Sequence, residues 1–225
     1  MSITPVKTPK VIKSLFPNYV WDIDTTEKVL YLTFDDGPTP EITHWILNIL
    51  NEYKAKATFF CIGANVEKYP NLFQDILKEG HSIGNHTQHH IKGWNTKKEA
   101  YLKDAATCET IFKSQVLNST SQNTNRKSLT VNLFRPPYGK ITPKQGISLM
   151  ALGYKIIMWD VLSFDWDKSV TQDQCFNNVI SKAKHGSIIV FHDSVKATKN
   201  MTYTLPKVLD YFSKRGFSFM PLNML

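Results

Sequence analysis

The sequence predicts an α/β fold of parallel strands, closed or nearly closed into a barrel of about seven β/α units. Three observations predict it. Short apolar runs alternate with amphipathic helical stretches along most of the chain, the pattern of strands buried on both faces and joined by helices. Gly80, Gly153, Gly186 and Gly216 stand where those helical stretches should stop. The strand bodies are apolar, while their C-terminal ends carry Asp, His or Arg. A doubly wound open sheet is the alternative, and either architecture brings chemistry to the C-terminal ends of the strands.

Taken in order, the first strand is expected over Lys28–Phe34 (KVLYLTF) and the first helix over Glu41–Tyr53, with Thr39 and Pro40 marking its start. Strand Ala57–Ile62 (ATFFCI) and helix Val66–Gly80 follow, then strand His81–Gly84 (HSIG) and helix Lys97–Val116. Val131–Phe134 (VNLF) and Lys155–Val161 (KIIMWDV) are the fourth and fifth strands, with helix Pro143–Leu152 between them. Helix Thr171–His185, strand Ser187–His192 (SIIVFH), helix Tyr203–Lys214 and strand Phe217–Met220 (FSFM) complete the series. The polar stretch Asn118–Lys127 (NSTSQNTNRK) has loop composition and reads as a surface loop, with a triplet that fits the glycosylation acceptor pattern. Residues 1–27 are expected to pack as an N-terminal segment on a domain spanning 28–225.

Composition limits the classes available. With 225 residues, 42% apolar and 20% charged, the chain is globular rather than disordered, and one domain is the default. The net charge of +8, from 27 Lys and Arg against 19 Asp and Glu, admits an anionic partner or surface but reads mainly as a solvated surface. The basic residues are spread out, without a block or a reader motif, so nucleic acid is not the expected partner. No apolar run is long enough to span a bilayer. The opening MSITPVKTPKVIKSLFPNYVW lacks a signal-peptide core, which predicts a cytoplasmic location or export by another route. Cys61, Cys108 and Cys175 are odd in number and far apart, so a reduced compartment is expected.

The strand ends hold the chemistry. Asp35 and Asp36 follow the first strand, and adjacent carboxylates repel unless something uses them. His86 and His90, in GNHTQHH, lie four apart and would share one face of a helical turn. Two imidazoles and one carboxylate make a three-ligand metal site with an open position. One Asp would then bind the cation and its neighbour would accept a proton. The plain alternative is a helix cap beside a solvent-facing Asp in a Gly37–Pro38 turn.

The segments TFDDGP (Thr33–Pro38), HTQHH (His86–His90), RPPYG (Arg135–Gly139), FDW (Phe164–Trp166) and VFHD (Val190–Asp193) resemble, in order, the five motifs of the polysaccharide deacetylases, the NodB homology domain of carbohydrate esterase family 4. The resemblance runs from about Lys28 to the C-terminus. It implies a distorted (β/α) barrel and metal-dependent removal of acetyl groups from polysaccharides. It further implies Asp35 as general base, Asp36, His86 and His90 as metal ligands, and Zn²⁺ as the leading ion, with Co²⁺, Ni²⁺ or Mn²⁺ as alternatives. Arg135 would hold Asp35, and His192 would be the general acid, oriented and kept protonated by Asp165. The Tyr138 N–H would help bind the oxyanion, and Trp166, Pro137 and Val190 would contribute to the substrate pocket. The implied substrate is an acetylated glycan containing N-acetylglucosamine, of peptidoglycan or chitin type. Rival readings are an acetyl-ester esterase of xylan type, a glycan- or metal-binding protein without turnover and, more distantly, a nucleic-acid binder.

The chain departs from the family pattern at Leu162, where the fourth motif usually has Asp, at Ile91 for Pro and at Val190 for Leu. Asp160 lies two residues before Leu162, on the same strand face if the strand is regular, and would then partly substitute or simply end the strand. Among the remaining polar residues, Asp193 is read as a supporting partner or a turn residue and Asp167 as solvent-facing. His44 is placed on a helix surface, His81 at a strand start and His185 at a helix end, with His89 the less favoured ligand beside His90. Trp45, Trp94 and Trp159 are read as core or rim packing, and Cys61 as a buried small hydrophobe.

Overall fold

The structure, a computed structural model, describes residues 4–118 and 132–222. Most of the Asn118–Lys127 loop, with its acceptor triplet, therefore lies outside the described residues. The strands are β1 (Val29–Asp35), β2 (Thr58–Cys61), β3 (Ser82–Asn85), β4 (Leu133–Phe134), β5 (Lys155–Ile156), β6 (Val161–Leu162), β7 (Ile188–His192) and β8 (Ser218–Phe219). They form a curled sheet in the order β5-β4-β3-β2-β1-β7-β6, with β8 on the start of β1. Every pairing between these strands is parallel. The helices are α1 (Lys10–Leu15), α2 (Ile42–Glu52), α3 (Gly63–Lys68), α4 (Pro70–Lys78), α5 (Lys98–Asn118), α6 (Pro143–Ala151), α7 (Gln172–Ile180) and α8 (Thr198–Ser213).

β1 is central, and its near-continuous burial is what a parallel strand covered on both faces requires. Phe34 stacks between Phe59 of β2 and Phe191 of β7, at centroid distances of 5.1 and 6.0 Å. Leu205, Val208 and Phe212 of α8 belong to the same core. Register aligns the strand ends in one layer: Asp35 stands opposite Phe60 on one side and His192 on the other, and Asn85 opposite both Cys61 and Phe134. The residues that follow those ends therefore emerge together.

The predicted strand Lys155–Val161 is two strands at opposite edges of the sheet. β5 pairs with β4, whereas β6, which includes Val161, pairs with β7. Residues 157–160 cross the seam between them, with Ile157 N–H donating to the Phe134 carbonyl at 2.8 Å and Asp160 N–H to the Ile188 carbonyl at 3.0 Å. An apolar run shows where a chain is buried, not which neighbour each half pairs with. The N-terminal segment covers this seam: Lys7 bridges Val161 antiparallel, and Val20 bridges Ile157 in parallel. Asp160 serves that packing, not the cavity. Its buried carboxylate takes Lys7 at 2.8 Å, Lys13 at 2.6 Å and the Ser187 hydroxyl at 2.6 Å. Asp160 thus does not substitute for the motif carboxylate absent at Leu162.

Several helix boundaries also move. The predicted helix Val66–Gly80 is split into α3 and α4, because Pro70 takes Tyr69 out of the helical region (φ −128°, ψ 57°). α2 begins at Ile42, after Glu41 at φ 64°, and the Thr39 N–H is taken by the Thr43 hydroxyl. α7 ends at Ile180, well before His185, and α8 starts at Thr198 rather than Tyr203. The short helix α1 has no counterpart in the sequence reading. Capping boxes fix the starts of α6 (Thr142 with Gln145) and α7 (Thr171 with Gln174).

Candidate active site and metal centre

At the C-terminal ends of the strands lies a cavity of about 870 Å³, and Asp35, Asp36, His86, His90, Tyr138, Trp166, Val190 and His192 line it. The loops after β1, β3, β4, β6 and β7 therefore converge, as their polar strand ends predict. Arg135 and Asp165 do not line it. They stand behind Asp35 and His192. Pro137 is buried, and its neighbour Pro136 forms the wall instead.

Asp35, the last residue of β1, is positioned by strand alternation. Thr33, two residues earlier, points the same way, and one guanidinium nitrogen of Arg135 donates to both: 2.7 Å to Thr33 Oγ1 and 2.7 Å to Asp35 Oδ1. The fully buried Arg135 also donates to the carbonyls of Met158 (2.8 Å) and Ile157 (3.2 Å) and lies 4.1 Å from the centre of the Phe60 ring. Its charge is therefore neutralised and its position fixed. The second oxygen of Asp35 makes no hydrogen bond among the described residues.

Asp36 leaves the strand. Its φ of 86° turns its side chain toward the histidines. Its Oδ1 lies 3.2 Å from His90 Nε2 and 3.7 Å from His86 Nε2, and the three ligand atoms are all within 4.8 Å of one another. One dication fits between such atoms, and a His₂Asp donor set suits zinc and similar ions. The histidines do not sit on a helical turn, as their spacing suggested. They converge through a tight loop in which Thr87 (φ 66°) and His90 (φ 55°) are left-handed. Asp104 of α5 holds that loop by accepting from the N–H groups of Gln88 (2.8 Å) and His89 (3.1 Å). His89 points away and is exposed, pairing with Asp104 at 2.6 Å.

His86 is set up to present a neutral nitrogen lone pair. Its Nδ1 lies 2.7 Å from the Arg135 carbonyl, which requires Nδ1–H and leaves the Nε2 lone pair free toward Asp36. Burial lowers its pKa to about 4, against the pull of nearby carboxylates. For Asp36, burial works upward, but the His90 hydrogen bond and the charges of the surrounding imidazoles outweigh it and hold the carboxyl well below its usual range.

His192 ends β7. One carboxylate of Asp165 clamps both ends of the residue, Oδ2 accepting from the backbone N–H at 2.7 Å and Oδ1 standing 2.9 Å from Nδ1. Burial pushes the imidazole down, but Asp165, followed by Asp36 and Asp35, overcomes it and raises the pKa to about 9. Trp166 packs on this ring at 4.6 Å and stacks on Phe164, whose φ of 63° permits the turn. Across the cavity Tyr138 is left-handed (φ 59°) and 61% exposed, its ring 4.6 Å from His90. Its N–H makes no hydrogen bond among the described residues.

Asp193 is a supporting residue. Fully buried, it accepts from the Gly37 N–H (2.8 Å) and the Thr43 hydroxyl (2.7 Å), while its own N–H donates to the Asp35 carbonyl (3.0 Å). A Cβ on Gly37 would lie 1.7 Å from Asp193 Oδ2, so residue 37 must be glycine. Burial first, and then the charge of Asp36, raise the Asp193 pKa to about 8.

The sequence reading missed Thr33, a polar residue inside an apolar strand and in phase with Asp35. It also missed Thr4, Lys92, Lys140, Ser194 and Lys196, which line the cavity and carry no motif. Trp159 lines the cavity, Trp94 is 58% exposed, and Trp45 packs on the core. His81 is buried, its Nδ1 accepting from the Ala57 N–H at 3.1 Å, while His44 and His185 are exposed. Cys61 is buried.

The family model for polysaccharide deacetylases matches residues 22–157. A peptidoglycan-N-acetylglucosamine deacetylase of Bacillus cereus is 33% identical over 207 residues, 91% of each chain. A chitooligosaccharide deacetylase of Azorhizobium caulinodans is 29% identical over 89% of this chain and 95% of its own. Among solved structures, a peptidoglycan N-acetylglucosamine deacetylase in complex with 4-naphthalen-1-yl-N-oxidanyl-benzamide superposes with a TM-score of 0.83 at 30% identity, over 96% of this chain and 95% of that one.

Proposed function

Because the chain belongs to the polysaccharide deacetylase family, we propose that it is a metal-dependent hydrolase that removes N-acetyl groups from a glycan containing N-acetylglucosamine. One observation carries the reading: a His₂Asp donor set, a carboxylate with a free oxygen and a clamped imidazole all face one cavity. Asp36, His86 and His90 hold the cation, for which zinc is the best match to the donor set. When bound, such an ion polarises the acetyl carbonyl and acidifies water.

The chain's own groups supply the rest. Asp35 is the general base, its free oxygen accepting the proton of the attacking water while Arg135 fixes the other oxygen. The Tyr138 N–H, without a partner among the described residues, donates to the oxyanion as charge develops on the acetyl oxygen. An amine cannot depart as an anion, so His192 delivers a proton to the leaving nitrogen. Asp165 keeps that proton available by stabilising the imidazolium. Trp166 and Val190 wall the sugar site. The strength of the Asp165 clamp favours amide over ester substrates, since an ester leaving group needs less help from an acid.

Acetate release from N-acetylglucosamine oligomers tests the reading, with zinc and with a chelator. Release that requires the metal is expected. Saccharide binding without release in zinc-containing buffer would overturn it.

A further inference from the structure

We propose that the substrate glycan is anionic, a strand whose sugars carry carboxylates, and that Lys92, Lys140 and Lys196 select it. This rests on the deacetylase reading of the site. Each lysine lies just outward of a site residue on its own loop: Lys92 after His90, Lys140 after Tyr138 and Lys196 after His192. All three line the cavity, and Asp35 and Asp36 are the acidic side chains among its lining residues. Those two carboxylates are engaged, one with Arg135 and the other with the histidine pair. None of the three lysines forms an ion pair among the described residues.

The Lys140 side chain and the backbones of Lys92 and Lys140 are held in place. Lys140 sits over the Trp94 ring at 4.2 Å, and the Trp94 indole N–H is anchored to the Ile141 carbonyl at 3.0 Å. The Gly93 N–H donates to the Lys140 carbonyl at 2.9 Å, and a Cβ at residue 93 would meet that oxygen at 2.5 Å. The Lys92 carbonyl in turn accepts from Thr96 Oγ1 at 2.9 Å. The loops bearing Lys92 and Lys140 are therefore stitched together on one side of the mouth. Lys196 is exposed, near Asp167, whose carboxyl is held below its usual range first by the Ser169 hydrogen bonds and only lastly by the Lys196 charge. A concave site rimmed by one sign of charge concentrates ligands of the opposite sign. A neutral N-acetylglucosamine polymer gains no net charge attraction from such a rim.

The test compares one carboxylate-bearing N-acetylglucosamine strand with the same strand after its carboxylates are amidated, alongside a neutral N-acetylglucosamine tetramer. At low salt the carboxylate form should show a KM lower by about tenfold. That preference should fade as salt approaches 0.5 M and the screening length shrinks to a few ångströms. The K92Q/K140Q/K196Q variant should bring the two KM values together. Equal kcat/KM for both strands at low salt, or a preference that survives the triple variant, would overturn the proposal while leaving the deacetylase reading standing. Acetate release from none of the three substrates by the zinc-loaded protein would overturn both.

Discussion

The two flanks of the cavity are built by different means. On the cation flank, Asp36, Thr87, His90 and Tyr138 all have left-handed backbones, and the ligand atoms converge because the chain is bent into sparsely populated conformations. On the proton-donor flank, His192 is the last residue of a regular strand and is fixed by a side-chain partner, Asp165, at 2.7 and 2.9 Å, with a single left-handed residue, Phe164, in the loop that presents Asp165. The first flank aims three ligand atoms at one point, where a cation would be shared. The second is a charge-compensated pair that stands without one. The difference teaches that, on the proposed function, metal binding and proton delivery would be separable although their residues share one cavity. Asp193 is the exception, because it follows His192 in sequence but bonds to Gly37, next to Asp36.

The comparison can be broken most decisively at the cation flank. Stripping the metal, or replacing His90 by Ala, should abolish acetate release, and His90→Ala should weaken zinc binding by more than about 100-fold, since loss of a direct ligand exceeds loss of an outer partner. Zinc at about 100 times its Kd should add about 2.7 kcal/mol to unfolding stability, read as a rise in Tm. A wild-type melting curve indifferent to zinc would contradict the description of that flank.

His192→Ala should lower kcat on an amide substrate by roughly 10²- to 10⁴-fold, with zinc affinity by calorimetry essentially kept. A parallel loss of zinc binding would mean the flanks are not separable.

Asp165→Asn sharpens the contrast through pH. As the proposed proton donor, His192 must carry its proton to act, and its pKa of about 9 keeps it charged below that pH, so activity should fall as pH rises through about 9. Removing the Asp165 charge takes away the largest influence that raises this pKa and moves the falling limb down toward the ordinary histidine value of about 6.5. At pH 8 the loss of protonated fraction alone should cost about 30-fold in rate. A limb unmoved in Asp165→Asn would show that another group supplies the proton.

The smallest effect is expected at the link. Asp193→Ala leaves the buried Gly37 N–H and Thr43 hydroxyl without their acceptor, costing about 1–3 kcal/mol in chemical denaturation. It should weaken zinc binding several-fold without moving the alkaline limb. A shifted limb instead would place Asp193 with the donor flank.

Much of this site was legible because its residues sit at the ends of strands whose bodies are unmistakably apolar. β1, β2, β3 and β7 each show a run of buried residues, and their parallel register does the converging. What failed to show in the sequence lacked a local signal. Lys155–Val161 reads as one strand because burial is continuous across the seam, although its hydrogen-bond partners change. Asp160 looked like a strand-face neighbour of Leu162 only if that strand was regular, and the seam makes it otherwise. The start of α8 at Thr198 is hidden in polar residues, TKNMTYT, whose helical state depends on packing rather than propensity. The rim lysines were invisible because lysine is common on every solvated surface, and only the loop geometry distinguishes these three.

One feature of the fold bears on how the molecule fares in a crowded solution. The outermost strands, β5 and β6, would each offer a row of unsatisfied donors and acceptors to any passing chain. Val20 occupies the first beside Ile157, and the stretch through Lys7 occupies the second beside Val161. The leading residues thus act as a selvedge that keeps the weave from catching on its neighbours. Proteolytic trimming of that border should therefore announce itself as self-association seen by light scattering, before any change in fold.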